Sequence, residues 1–277
     1  MTFATLLCPR ATEHPSRWEL DVVPKLTSPA GLLSGGAALG ITLNAMASST
    51  GRTPVCATAQ YQNTATIGTR VSIAVEHQAG RHTTQARAVL RSHERTLLTV
   101  QAALVEARPS RWHSLFQAPD VPPAVDCAMH AVASKTTDTI LEFTEIRLAS
   151  GRTWPELDGT PGSGSFALWF RLPGGKRAYT AAELAVVADF LPLATSQSLG
   201  RPAAGTSLDN TLRVCAGAPT EWVLLSCQID GIADRLAHGT AHLWAEDGTL
   251  LALASQSLIV RRPEVAGLNH EARVQDA

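Results

Sequence analysis

The stretch TSLDNTLRV, Thr206 to Val214, carries a carboxylate in a run that reads as a strand. Leu208, Leu212 and Val214 share one side of the alternation, and Asp209, Thr211 and Arg213 share the other. Aspartate is depleted in strands, and Asp209 stands before Asn210 in mid-run rather than at a turn. One reading leaves its side chain in water on an outer face. The other is chemical, because a carboxylate at a pocket can orient a water and deprotonate it as a general base. Gln256, in ASQSL, is the second candidate. A side-chain amide fixes such a water or donates to an oxyanion, and a helix N-terminus adds backbone N–H donors. Such a set suits attack of water on a carbonyl and requires no metal.

Other chemistries leave no signature. The nine histidines show neither HxH nor HExxH spacing, so metal catalysis is not indicated. His238 and His242 share one face of a strand-like run and read as surface or internally satisfied residues. GxSxG is absent, which argues against an α/β-hydrolase type of site. GxGxxG and GxxxxGK[ST] are absent too. The cysteines, Cys8, Cys56, Cys127, Cys215 and Cys227, are odd in number and form no CxxC. They suggest neither a disulfide framework nor a zinc ribbon, but small buried residues.

The elements that position these groups come from a chain of 277 residues, enough for one large or two ordinary domains. Hydrophobic residues make up 45% and charged residues 17%, the balance of a globular protein. A formal net charge of -1 gives no basic excess for nucleic acid. The start, MTFATLLCPRA, lacks the basic segment and apolar length of a signal peptide, and no run approaches the roughly 20 apolar residues of a membrane span. A soluble cytoplasmic protein is the expectation.

Residues 1–30, with four prolines, read as irregular. Residues 32–46 read as a buried helix with Ser34 as N-cap and Gly35-Gly36 in its first turn. Strand-like runs follow at 55–61, 70–76, 81–91 and 97–106, separated by short turns, hence antiparallel. Residues 117–127 are proline-rich and read as a linker. A strand at 165–171 then precedes a helix over 180–196. Thr180 and Glu183 form its capping box, and Pro192 ends or kinks it near Phe190. Strands at 208–214, 222–229, 236–244 and 250–260 complete the chain. Helix and four strands thus occur twice, and Thr-Leu-Leu recurs after the turn of each final hairpin, at 96–98 and 249–251. This order indicates an internal duplication. The two sheets should join, because either alone would leave a bare edge. Laying the final hairpins together sets Gln256 against Ala103, so polar groups peculiar to one copy point to the second half.

The second half resembles the double-hotdog acyl-CoA thioesterases, the group of bacterial acyl-CoA thioesterase II. The resemblance rests on Ser207-Leu208-Asp209-Asn210-Thr211, Glu221-Trp222-Val223-Leu224-Leu225, Glu246-Asp247-Gly248-Thr249-Leu250-Leu251-Ala252, Ser255-Gln256 and Val260-Arg261-Arg262. Gly35-Gly36 resembles the family's FGG segment. The resemblance implies an α+β double hotdog, each copy a long helix wrapped by a curved antiparallel sheet. Its repeats would span 1–116 and 128–262, with the linker at 117–127 between them and a polar tail at 263–277. It implies hydrolysis of an acyl-CoA without cofactor or metal, by an Asp, a Thr or Ser and a Gln that hold a water. Asp209 and Gln256 take the first and last roles. Counting from Trp222, the hydroxyl position falls on Asp230, a departure from the pattern, and Asn210 stands where the family usually has His. An ionised Asp230 could accept from a water but not donate to it. Two other readings stay open: a hotdog dehydratase-like enzyme pairing His238 or His242 with Asp209, and a module that binds acyl thioesters without turnover. Arg261 and Arg262 could meet a CoA phosphate. Trp112, Trp154 and Trp169 read as core or pocket wall, and a homo-oligomer is possible on this reading.

Overall fold

The computed structural model describes residues 3–106, 114–131 and 137–261. The expectations for Trp112, Arg262 and the tail at 263–277 fall outside these residues.

Residues 1–30 are more regular than their prolines suggest. They contain α1 (Phe3–Leu6), β1 (Arg10–Ala11) and β2 (Arg17–Asp21). Pro9, Pro15, Pro24 and Pro29 fall between or beside these elements, where no ladder N–H is lost. The buried helix is α2 (Gly35–Thr50), closed at Gly51 by a residue with φ of 66°. It leads into β3 (Thr53–Tyr61), β4 (Arg70–Ala79), β5 (Thr83–Ser92) and β6 (Arg95–Val105). The second half supplies β7 (Glu145–Ser150) and β8 (Ser165–Arg171), then α3 (Ala181–Ala188) and α4 (Ala194–Leu199). The helix expected over 180–196 breaks near Phe190 as its proline predicts: α3 ends, Pro192, with no N–H to give, lies in a 3-10 turn, Leu191–Leu193, and α4 follows. β9 (Ala204–Ser207), β10 (Asp209–Val214), β11 (Trp222–Ala233), β12 (Leu236–Ala245) and β13 (Leu250–Arg261) follow.

All strands form one antiparallel sheet in the order β1-β2-β4-β5-β6-β3-β10-β13-β12-β11-β8-β7, with β9 also on β13. Outward from the β3–β10 pair, the order is β6, β5, β4, β2, β1 on one side. On the other it is β13, β12, β11, β8, β7. The same topology runs both ways, which is the duplication. The seam pairs Asp209 with Gln60 and Arg213 with Cys56. No helix among the described residues is long and apolar enough to cross a membrane.

The sheet wraps α2 and α3. Its inner face, including Ala57, Leu98, Val100, Leu212, Leu225 and Ala254, forms the main core with both helices. The helices touch backbone to backbone. A Cβ on Gly40 would lie 2.7 Å from the Ala182 carbonyl oxygen, and one on Gly36 2.8 Å from that of Ala185. Residues 117–127 are not a free tether. Ala118, Val121, Ala124 and Cys127 cover Trp169, Trp222, Leu224, Trp244 and Leu250 on the outer face of the second half. Trp169 Nε1 donates to the Pro122 carbonyl at 2.9 Å.

Gly40 and Gly36 lie one helical turn apart and set the spacing of the two helices. Replacing Gly40 by Val forces a side chain into the Ala182 backbone and should cost about 1–3 kcal/mol. Urea denaturation checks this, and an unchanged midpoint would mean that the helices can part freely.

Candidate active site

Ser34 occupies the N-cap of α2, yet its hydroxyl makes no bond to its own helix. It donates instead to Asp189 Oδ2 at 3.3 Å. The Gly36 N–H donates to the same oxygen at 2.7 Å. Asp189 is the C-cap residue of α3, where a helix's own dipole disfavours a carboxylate. Its position is compensated by the other half of the molecule, because the carboxylate sits against the positive end of α2. Glycine at 35 and 36 makes room. A Cβ on Gly36 would lie 2.7 Å from Asp189 Cβ, and one on Gly35 3.1 Å from Asp189 Oδ1.

Gln256, on the inner face of β13, completes the cluster and is 1% exposed. Its Nε2 donates to Ser207 Oγ at 2.5 Å and to Asp189 Oδ1 at 3.4 Å. Tyr61, at the end of β3, donates its hydroxyl to the Gly35 carbonyl at 3.0 Å. Asp189, Ser207, Ser34, Gly35 and Tyr61 lie on one cavity of about 640 Å³, walled further by Leu33, Leu98, Leu141, Trp154, Phe190 and Leu193. The cavity therefore lies between the two halves.

Burial pushes the Asp189 carboxyl up to about 6, against the opposing pull of the Gly36 N–H, the Gln256 amide and the Ser34 hydroxyl. Burial also raises Tyr61 well above its ordinary value, and the charges of Asp189 and Asp209 add to this. Tyr61 therefore stays neutral and donates.

Of the residues singled out from sequence, Gln256 enters this cluster. Asp209 and Asp230 do not. The alternation that buries Leu212 also buries Asn210, which turns Asp209 to the outer face beside Thr211. Pairing slips between Ser207 opposite Leu258 and Thr211 opposite Ser255. Asp209 fills that irregularity, accepting from the Ser257 N–H at 2.7 Å and from the Ser257 hydroxyl at 3.3 Å. A backbone donor that the slipped ladder leaves over is the reason for a carboxylate in this strand. Asp230 is exposed, at a break in the β11 register between Ile229 and Gly231, where Thr240 Oγ1 meets it at 3.5 Å. Across β12, Gln256 faces Gly239. His238 reaches Asp209 only through the Ser257 hydroxyl, at 3.1 Å from Nδ1, on the exposed side. His242 stacks on Trp244 and packs against Phe116.

A family model described as the acyl-CoA thioesterase C-terminal domain matches residues 106–260. The chain belongs to this acyl-CoA thioesterase family. A protein from Novosphingobium aromaticivorans with a provisional thioesterase assignment is 30% identical. The match covers 91% of this chain and 98% of that one, with a TM-score of 0.79. A hot dog fold protein from Alicyclobacillus acidocaldarius is 20% identical over 93% of this chain and 97% of its own, with a TM-score of 0.80. An acyl-CoA thioesterase II from Mycobacterium marinum is 16% identical over 92% and 96%, with a TM-score of 0.70. A search among curated proteins gives no match.

The acyl-CoA thioesterase pattern implied an Asp, a hydroxyl and a Gln. Those three types meet here as Asp189, Ser207 and Gln256. Sequence reasoning passed over the first two. Asp189 had a signal: an acidic residue in VVADFLPL, at a helix C-terminus among apolar residues. Ser207 had none, being an ordinary strand residue.

The duplicated half does not repeat the site. The N-terminus of α3 is closed by its own chain: Thr180 accepts from the Glu183 N–H at 3.2 Å, and Glu183 accepts from the Thr180 N–H at 2.9 Å. Arg177 binds both oxygens of that buried carboxylate. The inner residues of β6, Leu98, Val100, Ala102 and Leu104, are all apolar.

Asp189 also makes stability depend on pH. Its carboxyl binds a proton more tightly in the fold than the ordinary 3.8 allows, so its contribution is greatest below pH 4 and is lost as pH rises through about 6. Above that, the buried charge costs on the order of 3 kcal/mol. Asp189→Asn removes this dependence. Urea denaturation at pH 4 and 7.5 should show the wild type losing ground to the variant as pH rises, and a constant difference would contradict the buried assignment.

Proposed function

We propose that the protein hydrolyses an acyl-CoA thioester to the free acid and CoA, with Asp189 as general base. The observation that carries this reading is the meeting of Asp189, Gln256 and Ser207 at the N-terminus of α2, where Asp189 and Ser207 line a cavity with apolar walls. Ser207 and the Gln256 amide hold the attacking water against the Asp189 carboxylate. Asp189 takes one proton as the water oxygen bonds to the thioester carbon. Negative charge on the carbonyl oxygen is met by the positive end of α2. The carbon–sulfur bond then breaks, and the proton on Asp189 passes to the leaving thiolate. A carboxyl that titrates at about 6 is ionised at neutral pH yet still basic enough to accept a proton.

The acyl chain lies along Leu33, Ala38, Leu98, Leu141, Phe190 and Leu193. Arg261, exposed on the same cavity, meets a phosphate of the CoA. A dehydratase-like reading wants a histidine beside an acid at the cavity. His238 instead joins Asp209 through Ser257 on the other face. The reading of a binding module without turnover drew on Asp230 standing in place of a hydroxyl, and Ser207 supplies one.

Thiol release from a panel of short, long and aromatic acyl-CoAs tests the proposal. Asp189→Asn should lower kcat by roughly 10²- to 10⁴-fold, whereas Asp209→Asn should stay within about threefold of wild type, since its carboxylate serves the strand. The wild-type rate should fall on the acid side with an apparent pKa near 6. Absence of release from every substrate, or equal rates for Asp189→Asn and wild type, would overturn it. Arg261→Ala should raise KM for acyl-CoA and leave acyl-pantetheine, which lacks the phosphates, unchanged.

A further inference from the structure

Among the described residues, three buried side-chain polar atoms have no hydrogen-bond partner: Asn210 Nδ2, Asn210 Oδ1 and Gln256 Oε1. They belong to neighbours. Thr211 pairs with Ser255, so Asn210, one residue earlier on β10, stands beside Gln256, one residue later on β13. Both point to the inner face, and each is 1% exposed. The other neighbour of Asn210 across the seam is Ala59, which is 0% exposed. In these surroundings an apolar side chain would pack without any polar cost, while a buried polar group left unpaired is costly. A buried asparagine kept against stability is expected where it serves a site.

The amide of Gln256 has two ends and can turn over. In the orientation seen, Nε2 serves Ser207 and Asp189. Turned over, it would set Oε1 against the Asp189 carboxylate, oxygen to oxygen, and Ser207 and Asp189 would lose their donor. Nothing on the Ser207 side prevents this, because a hydroxyl donates as readily as it accepts. Asp189 opposes the turn at one end, and at the other Oε1 requires a donor. Asn210 Nδ2 is the unused donor next to it.

The geometry points to Asn210 as a positioning residue that holds the carbonyl end of Gln256, directly or through one bridging water, and so keeps the amide N–H₂ on Asp189 and the attacking water. This rests on the proposed hydrolysis for its kinetic consequence but not for its structural one. Asn210 acts through Gln256 and does not touch the acyl group.

The test is Asn210→Leu, alone and combined with Gln256→Ala. Carbon-13 NMR of the Asp189 carboxyl needs no substrate. Because the Gln256 donor pulls that carboxyl down, the variant should titrate at higher pH than the wild type. With acyl-CoA, kcat should fall about tenfold or more, the scale of a misplaced reacting group, with KM within about twofold. In a Gln256→Ala background, Asn210→Leu should add no further loss. An unchanged Asp189 titration, or losses that multiply in the double variant, would overturn the assignment. Asn210→Ala carries the same expectations for titration and rate if leucine is too large to fold. A wild type that hydrolyses nothing defeats the thioesterase reading, while the titration still decides the role of Asn210.

Discussion

The contact on which the structure turns is the approach of α2 to α3 at glycine. Two helices from the two halves meet without side chains between them at Gly36 and Gly40. That approach brings a free N–H of one helix, that of Gly36, onto a carboxylate at the end of the other. A carboxylate at a helix C-terminus and an uncapped helix N-terminus are each unfavourable alone. Brought together across the seam they satisfy one another, and their meeting point is the floor of the cavity. A side chain at Gly40 would part the helices, and one at Gly36 would strike Asp189 itself.

Much of the architecture is legible in the chain. Period-two runs announce the strands, and Ser34 with Gly35-Gly36 announces the start of the buried helix. The repeated order of elements foretells a sheet with a central seam, and the β3–β10 pairing is that seam. The first thirty residues mislead because prolines mark the ends of short elements as readily as they mark their absence. Residues 117–127 mislead in a related way, since a proline-rich strip can lie flat over tryptophans as well as span open water.

The cluster at the cavity is legible by residue type but not by position. The resemblance points to an acid, a hydroxyl and an amide, and Gln256, which it names, stands opposite Ala103 in the other copy. Asp209 drew attention as an anomaly, but its cause is local: a slipped register with a spare backbone N–H. Alternation counted strictly would have put Asn210, not Asp209, inside. Asp189 escaped notice because helix periodicity weighs a residue against its own helix, whereas the partner that stabilises it comes from more than 150 positions away. Long-range compensation of that kind leaves no trace in a local window.

The closed end of α3 carries one more consequence. A pair of identical subunits built on this plan must offer the same helix start twice, and whatever is done to one is done to the other. Joining the copies in one chain removes that bond of symmetry. Here one helix start is sealed by Thr180, Glu183 and Arg177, and the other remains open to the cavity. The sealed copy is free to be selected for rigidity alone. The open copy can carry an ill-placed charge and unpaired amides because its twin holds the frame. The plan thus leaves one open helix start per chain, where a dimer of identical subunits would carry two.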